Sequence, residues 1–326
     1  MLSWFTKFFN PEIFQGNLRN KNYFEGWYFK LVDLEERNIY AVIPGVSLLE
    51  DRSSAFIQLL NGKTAESHYI EYPIQDFKAE SDYFEVRIGE NRFSLDGLEL
   101  DINSDDISVE GSVKYINPVR WKSSVLKPGI MGWYSYVPFM ECYHGLVSMN
   151  HGLEGGLKVN GDLIDFTGGK GYSEKDWGQS FPKAHIWMQS NHFEDPEVSF
   201  MLSVGRIPWL GSSFTGFLGV LWRNGELLNM STYTSARITR LSKESDRIQV
   251  LIENKEYTLD VSVYRGQSGE LKSPSMGDMK GRISESVDST VNVRLFDNRL
   301  REIVYEGTGR NTGFELNDDD DILNAR

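Results

Sequence analysis

The sequence predicts an all-β protein, built as a tandem duplication of two β-barrel or sandwich domains with few, short helices. Three observations carry this. Short apolar runs alternate with Asn-Gly, Asp-Gly and charged turns along most of the 326 residues, as hairpins repeated in a meander do. Few long windows hold a helical period. The second half of the chain also resembles the first at a nearly constant offset.

Taken in order, the chain opens with MLSWFTKFFNPEIF, which sets Trp4, Phe5, Phe8 and Phe9 at helical spacing beside Lys7. It has no long apolar core and no small-residue cleavage site, so it does not read as a signal peptide. It reads either as a segment docked on the protein's own barrel or as a short interfacial helix, a peripheral membrane contact through residues 4–9. From Asn22 the chain reads as strands. YFEGWYFKLVD, IYAVIPGVSLL, SSAFIQLL, SHYIEYPI, DYFEVRI and FSLDGLELDI follow one another across turns such as EERN, NGK and GENR.

Self-comparison supplies the repeat. AFIQLLNGKTAESHYI resembles GFLGVLWRNGELLNMSTY, and YFEVRIGENRFSLDGLELDI resembles RIQVLIENKEYTLDVSVY. Trp27 maps to Trp187, Phe56 to Phe217, Asn61 to Asn224 and Phe84 to Ile248, at offsets of 160, 161, 163 and 164. A small drift in one direction is what duplication with turn insertions leaves. The expected domains are residues 1–165 and 166–316, each with about eight to ten strands, enough for a barrel holding one ligand. Residues 117–145, rich in Pro, Gly and aromatics, read as a lid-like insertion in the first domain. Residues 317–326, with the run Asn317 to Asp321, read as a solvated, disordered tail.

Composition excludes several function classes. The net charge of −13 comes with no basic stripe, so nucleic acid is not the expected partner. The single cysteine, Cys142, cannot form an internal disulfide, which fits a reducing cytoplasm. No stretch approaches 18 apolar residues, so no membrane-spanning helix is expected.

Three stretches concentrate chemistry. In YFEGWYFK (23–30), strand alternation puts Glu25 on one face with Tyr23, Trp27 and Phe29. Burial there would raise the carboxyl's pKa and make Glu25 an acid; on a solvated edge it would only pair with Lys or Arg. Gly26 would admit a close approach, and Trp27 reads either as barrel floor or as a cavity wall. In GGKGYSEKDWG (168–178), the glycine spacing fits no nucleotide-binding fingerprint. Glu174 and Asp176 share a face if the stretch is a strand, and neighbouring carboxylates push one pKa upward; in a polar turn both would be solvated. Trp177 beside them offers a π-face. In HIWMQSNHF (185–193), His185, Trp187, Gln189 and Asn191 share a face where the amides could orient a ligand oxygen. The pairs His144/His151 and His185/His192 are each seven apart, an odd spacing that sends partners to opposite strand faces. With no HxH, HxxxH or cysteine pair, no metal is expected. No GxSxG elbow appears.

Gly26 followed by Trp27 at the opening of a barrel resembles the lipocalin signature. EGWYFK, then GKGYSEKDWG-x-SFP, then W-x-Q-x-N resembles the tocopherol cyclase family, across roughly residues 20–315. That family is related to two-domain lipocalin-like proteins that include carotenoid hydratases. The resemblance implies two lipocalin-like barrels and acid-catalysed closure of a chromanol ring from a prenylated hydroquinone, without redox cofactor or metal. Such chemistry needs a buried acid, an aromatic cavity between the domains and exclusion of water. The matching motifs offer Glu174, Glu25 and Asp176 as acids. Plant members commonly carry Asn at the position of Asp176, which ranks it last. Trp27, Tyr28, Tyr172, Trp177 and Trp187 would line the cavity; Gln189 and Asn191 would hold the head group, with His144 a further substrate-binding residue. A non-catalytic carrier of an apolar, lipid- or quinone-like ligand, and a structural domain with filled barrels, are the competing readings, because a shared fold hosts many chemistries.

Overall fold

A computed structural model describes residues 2–125, 127–138, 140–318 and 323; for residues 2–5 it describes the backbone alone. The chain groups into two compact units, Met1–Phe181 with Glu270–Arg282 and Pro182–Gly269 with Ile283–Arg326.

Helix α1 (Leu2–Phe9) precedes a first sheet of β1 (Tyr23–Val32), β2 (Ile39–Leu48), β3 (Ser53–Asn61), β4 (Ser67–Pro73), β5 (Phe77–Ala79), β6 (Glu85–Ile88), β7 (Asn91–Ser94), β8 (Gly97–Asn103), β9 (Ser108–Ile116), β10 (Cys142–Val159), β11 (Asp162–Asp165) and β12 (Lys170–Gly178). The second sheet contains β13 (His185–Ser190), β14 (Val198–Trp209), β15 (Ser212–Arg223), β16 (Glu226–Asn229), β17 (Arg237–Lys243), β18 (Arg247–Glu253), β19 (Tyr257–Tyr264), β20 (Ser268–Ser275), β21 (Asp278–Asp297) and β22 (Glu302–Asn317).

The two sheets have one topology. In the first, neighbours run β4-β3-β2-β1-β12-β10-β9-β8-β7-β6-β5, with β11 folded onto β10. In the second they run β16-β15-β14-β13-β22-β21-β19-β18-β17, with β20 on β21. Each sheet therefore joins its first strand to its last and is open only between its fourth and fifth strands. A 3-10 turn links those two strands in each case, at Ile74–Asp76 and Thr232–Thr234. This antiparallel up-and-down order is lipocalin-like, and each ring encloses its own apolar cluster. In the first unit Trp27, Phe29, Phe84 and Phe93 belong to that cluster; in the second, Ile186, Met188, Phe200 and Phe314 do.

The topology corrects three expectations. The first concerns the boundary. β12 pairs with β1 and β10, so GYSEKDWG is the closing strand of the first sheet rather than the opening of a second domain at residue 166. A ring needs its last strand beside its first, and self-comparison by local similarity cannot see that pairing. Its counterpart in the second sheet is β22, which pairs with β13. The glycine-rich approach to β12 is a tight turn: a Cβ on Gly169 would lie 2.1 Å from the Val32 carbonyl oxygen.

The second concerns the tryptophan pair. Trp27 lies in the first core, whereas in β13 the core positions are Ile186 and Met188. Trp187 is on the other face, one residue out of register with Trp27, and a one-residue slip exchanges faces.

The third concerns the tail. Asn317 ends β22, and Asp318 is buried with Lys243 Nζ 2.7 Å from its Oδ2. Its carboxylate also accepts from the backbone N–H of Leu323, itself buried. A buried carboxylate is retained when it is paired, so an acid in this run serves as an anchor. Residues 319–322 and 324–326 of the expected tail lie outside the described residues.

Candidate active site

β12 alternates strictly. Tyr172, Glu174 and Asp176 point to the face away from the first core, and Ser173, Lys175 and Trp177 point to the other. The register sets Tyr28 of β1 opposite Glu174 and Gly26 opposite Asp176. From the other flank, β10 sets His144 opposite Asp176 and Leu146 opposite Glu174. Five side chains, Tyr28, His144, Tyr172, Glu174 and Asp176, are thereby gathered on one patch of sheet. Two irregularities in β10, between Leu146 and Ser148 and between Ser148 and His151, follow directly. Such bulges re-aim side chains near sites. They leave His144 on this face and His151 opposite Gly171 on the other, so these two histidines point to opposite faces as their spacing predicts.

The cluster is tightly bonded. His144 Nδ1 lies 2.9 Å from Asp176 Oδ1, and His144 Nε2 lies 3.5 Å from Glu174 Oε2. The Tyr172 hydroxyl donates to that same Glu174 oxygen. Glu174 is 5% exposed and Tyr172 fully buried, so these charges act in a poorly screened setting. Burial works against a charged His144, but Glu174 and then Asp176 outweigh it and lift the imidazole to about 9. His144 is an imidazolium at neutral pH, held between two carboxylates. Burial, and then Glu174, push the Tyr172 phenol well above its ordinary value. Cys142, with Sγ 3.9 Å from Asp176 Oδ1, is likewise kept a thiol by burial and by that carboxylate. It is not a nucleophile.

Gly26 leaves the sheet bare beside Asp176. A Cβ there would meet only the Pro44 carbonyl, at 3.8 Å. The sequence suggested a close backbone or ring approach at this glycine; the position instead leaves open floor next to the cluster.

The other face of the same strands is structural. Glu25 is fully buried, and its two oxygens receive four donors. Oε1 takes the Gln15 N–H at 2.7 Å and the Lys175 ammonium, while Oε2 takes the Gly16 N–H at 2.9 Å and the Tyr23 hydroxyl. All four lone-pair sites of the carboxylate are used. Lys175 spends its remaining donors on the carbonyls of Pro11 at 2.7 Å and Ile13 at 2.6 Å. It also lies 4.8 Å from the Trp27 ring and 4.9 Å from the Trp177 ring. Glu25 is thus the clasp that ties residues 11–16 to the barrel, and its assignment as a proton donor is corrected. Trp27, whose Nε1 donates to Glu12 O at 2.7 Å, is core. Trp177 stacks on Tyr143 at 5.5 Å. Neither tryptophan shares the face of Glu174 and Asp176, because Trp27 is next to Tyr28 and Trp177 next to Asp176, and adjacent strand residues face opposite ways.

The second unit carries a smaller echo. Trp187 lies opposite Glu315 of β22. His185 places Nδ1 3.1 Å from Pro182 O and Nε2 3.5 Å from Glu315 Oε2. Gln189 is buried on the same face as Trp187. Asn191 falls just beyond β13, where its Oδ1 lies 2.9 Å from His192 Nδ1. In each sheet a Glu on the non-core face of the closing strand thus meets a His of the neighbouring strand. Sequence reading found His144, Glu174 and Asp176 but missed Glu315 and Lys175, because a lone acid or lysine in an alternating strand gives no signal without its cross-strand neighbour.

His144, Glu174 and Asp176 each bring one donor atom to within 4.8 Å of the others, a nitrogen–carboxylate set able to accept a divalent cation once His144 gives up its proton. The expectation of no metal rested on spacing along one strand, and this set is assembled across two.

The pattern of the tocopherol cyclase-like family matches residues 104–317, which contain β10 and β12 with His144, Tyr172, Glu174 and Asp176, and β22 with Glu315. This chain belongs to the tocopherol cyclase-like family. A stretch of 63 residues is 38% identical to a probable chloroplastic tocopherol cyclase of Oryza sativa subsp. japonica, and equally to a chloroplastic tocopherol cyclase of Zea mays. That stretch is 19% of this chain and spans only 13% of either plant protein. Among solved structures, CghA with Sch210972 matches with a TM-score of 0.56 at 9% identity, over 90% of this chain and 88% of that one. A putative AttH from Nitrosomonas europaea matches with a TM-score of 0.52 at 11% identity, over 90% and 92%. These likenesses establish the fold of this tocopherol cyclase-like chain. Its described residues contain no helix long and apolar enough to cross a membrane.

Proposed function

We propose that this protein catalyses acid-assisted addition to an alkene of an apolar, prenylated substrate, closing a ring or adding water, on the face bearing Tyr28, His144, Tyr172, Glu174 and Asp176. The observation that carries this reading is the His144 imidazolium set between Glu174 and Asp176 on a buried, aromatic face. Membership of the tocopherol cyclase-like family supports the same reaction class.

In this reading His144 passes its Nε2 proton to Glu174 Oε2, and Glu174, now a carboxylic acid, delivers that proton to the less substituted alkene carbon. The π-electrons form the new C–H bond and leave a tertiary cation. The Tyr28 and Tyr172 rings flank Glu174 and stabilise that charge. A phenol or water oxygen then attacks the cation, and its proton returns to the Glu174 carboxylate. The cycle consumes no net proton, oxidant or reductant. Asp176 orients His144 through Nδ1. The imidazolium and the Tyr172 hydroxyl hold Glu174 in place and govern its proton.

The test is turnover of a prenylated hydroquinone in D2O by wild type and Glu174→Gln. One solvent deuteron bound to carbon in each product, with turnover lost in the variant, is the expected result. Equal product from both proteins would overturn the role of Glu174. Tight binding without turnover by wild type would favour a carrier instead.

A further inference from the structure

We propose that α1 and the insertion of residues 120–138 form one docking element for the surface of an anionic lipid bilayer. Three observations converge on it. The first is apolar exposure. Val125 is 71% exposed, Trp133 47% and Tyr136 48%. All three lie in one short irregular stretch, and the Tyr136 hydroxyl donates to the Val125 carbonyl. Large exposed apolar groups clustered in this way mark an interaction surface. Aromatic side chains with one polar end suit the boundary between water and lipid.

The second is charge. Residues 1–11 and 117–140 contain no Asp or Glu, but they carry Lys7, Arg120, Lys122 and Lys127 in a chain of net charge −13. Arg120 is engaged by Glu12, while Lys122 and Lys127 are exposed. A surface otherwise repelled by anionic lipid therefore turns one acid-free, basic and aromatic element outward. Charge complementarity favours an anionic surface over a neutral one, and the exposed Val125, Trp133 and Tyr136 beside the lysines suit the boundary of a bilayer.

The third is construction. The Phe8 ring of α1 packs against Tyr136 at 4.7 Å, so helix and insertion form one body. Inward, the insertion buries Ile130 and Met131, and Met131 Sδ lies 3.1 Å from the backbone N of His144. A groove of about 340 Å³ runs between this element and β10, lined by Phe9, Trp121, Ser123 and Leu146. Leu146 is the cross-strand partner of Glu174. The element thus joins an exposed aromatic surface to the strand that carries the site. Under the proposed function it would take an apolar substrate directly from a bilayer; the docking itself does not depend on that reading.

The test is cosedimentation of the full chain with vesicles of phosphatidylcholine alone and of phosphatidylcholine with phosphatidylglycerol, without substrate. The expected result is sedimentation with the anionic vesicles only, reversed by high salt as surface charge is screened. The triple variant Val125→Ser/Trp133→Ser/Tyr136→Ser is expected to lower the bound fraction about tenfold. The exposed charge variant Lys122→Glu/Lys127→Glu, which disturbs no buried contact, is expected to do the same. Wild type free of both vesicles, or charge variants that bind undiminished, would overturn the proposal. Vesicle binding with no turnover of a prenylated hydroquinone would support docking while removing the assigned activity.

Discussion

His144 and Glu174 face each other from neighbouring strands, with Nε2 3.5 Å from Oε2 on a buried face of the sheet. The first prediction follows from the charge this geometry creates. The folded-state value of about 9, against an ordinary 6.5, is a raised pKa. Its stabilising contribution is therefore fully present below about pH 6.5 and is lost as pH rises through about 9. The difference corresponds to about 3 kcal/mol. Urea unfolding at pH 6 and pH 9.5 should show a loss of this order in wild type relative to His144→Gln; buried Lys175, held down to about 8 by burial, contributes with the opposite sign in both proteins and cancels in the comparison. The activity of wild type should fall on the same alkaline limb.

Glu174→Gln keeps the volume and one acceptor while removing the transferable proton. Positioned acid catalysis is worth roughly 10²–10⁴ in rate, so kcat should fall by about that factor. KM should change little, since Tyr28, Tyr172 and Leu146 remain. Steady-state kinetics on a prenylated hydroquinone measures both constants.

The Glu25–Lys175 clasp predicts a stability effect with no catalytic one of its own. Removing one partner leaves a buried charge alone, which costs about 3–5 kcal/mol. Glu25→Gln should therefore destabilise strongly and expose residues 11–16 to proteolysis. The double variant Glu25→Met/Lys175→Met should recover part of the loss, because no unpaired charge remains. Denaturant melts of the three proteins compare these outcomes directly.

Gly26→Ala tests the open floor beside Asp176. The new methyl meets only the Pro44 carbonyl at 3.8 Å, and alanine in a strand gains about 0.5–1 kcal/mol over glycine. Thermal stability should hold or rise slightly. Gly26→Leu would fill the space over Asp176, and turnover should fall sharply while the protein stays folded.

Much of this protein is determined by its sequence alone. Alternating apolar runs and turn residues fix two antiparallel meanders, because side-chain period and turn chemistry are local properties. Phe56 with Phe217, and Asn61-Gly62 with Asn224-Gly225, do fall on equivalent strands and turns of the two sheets. The site was legible in one respect: Tyr172, Glu174 and Asp176 lie on one face as soon as residues 170–178 are a strand. Tertiary structure decided the rest. Which face is core depends on cross-strand register, so Trp27 and Trp187 part company despite their matching sequence contexts. Whether a buried acid is a catalyst or a clasp depends on its donors, and Glu25 has four while Glu174 faces an imidazolium. That contrast rests on β1, β10 and β12 lying side by side; β1 reaches β12 across more than a hundred positions and β10 reaches it past β11, pairings that no local pattern encodes.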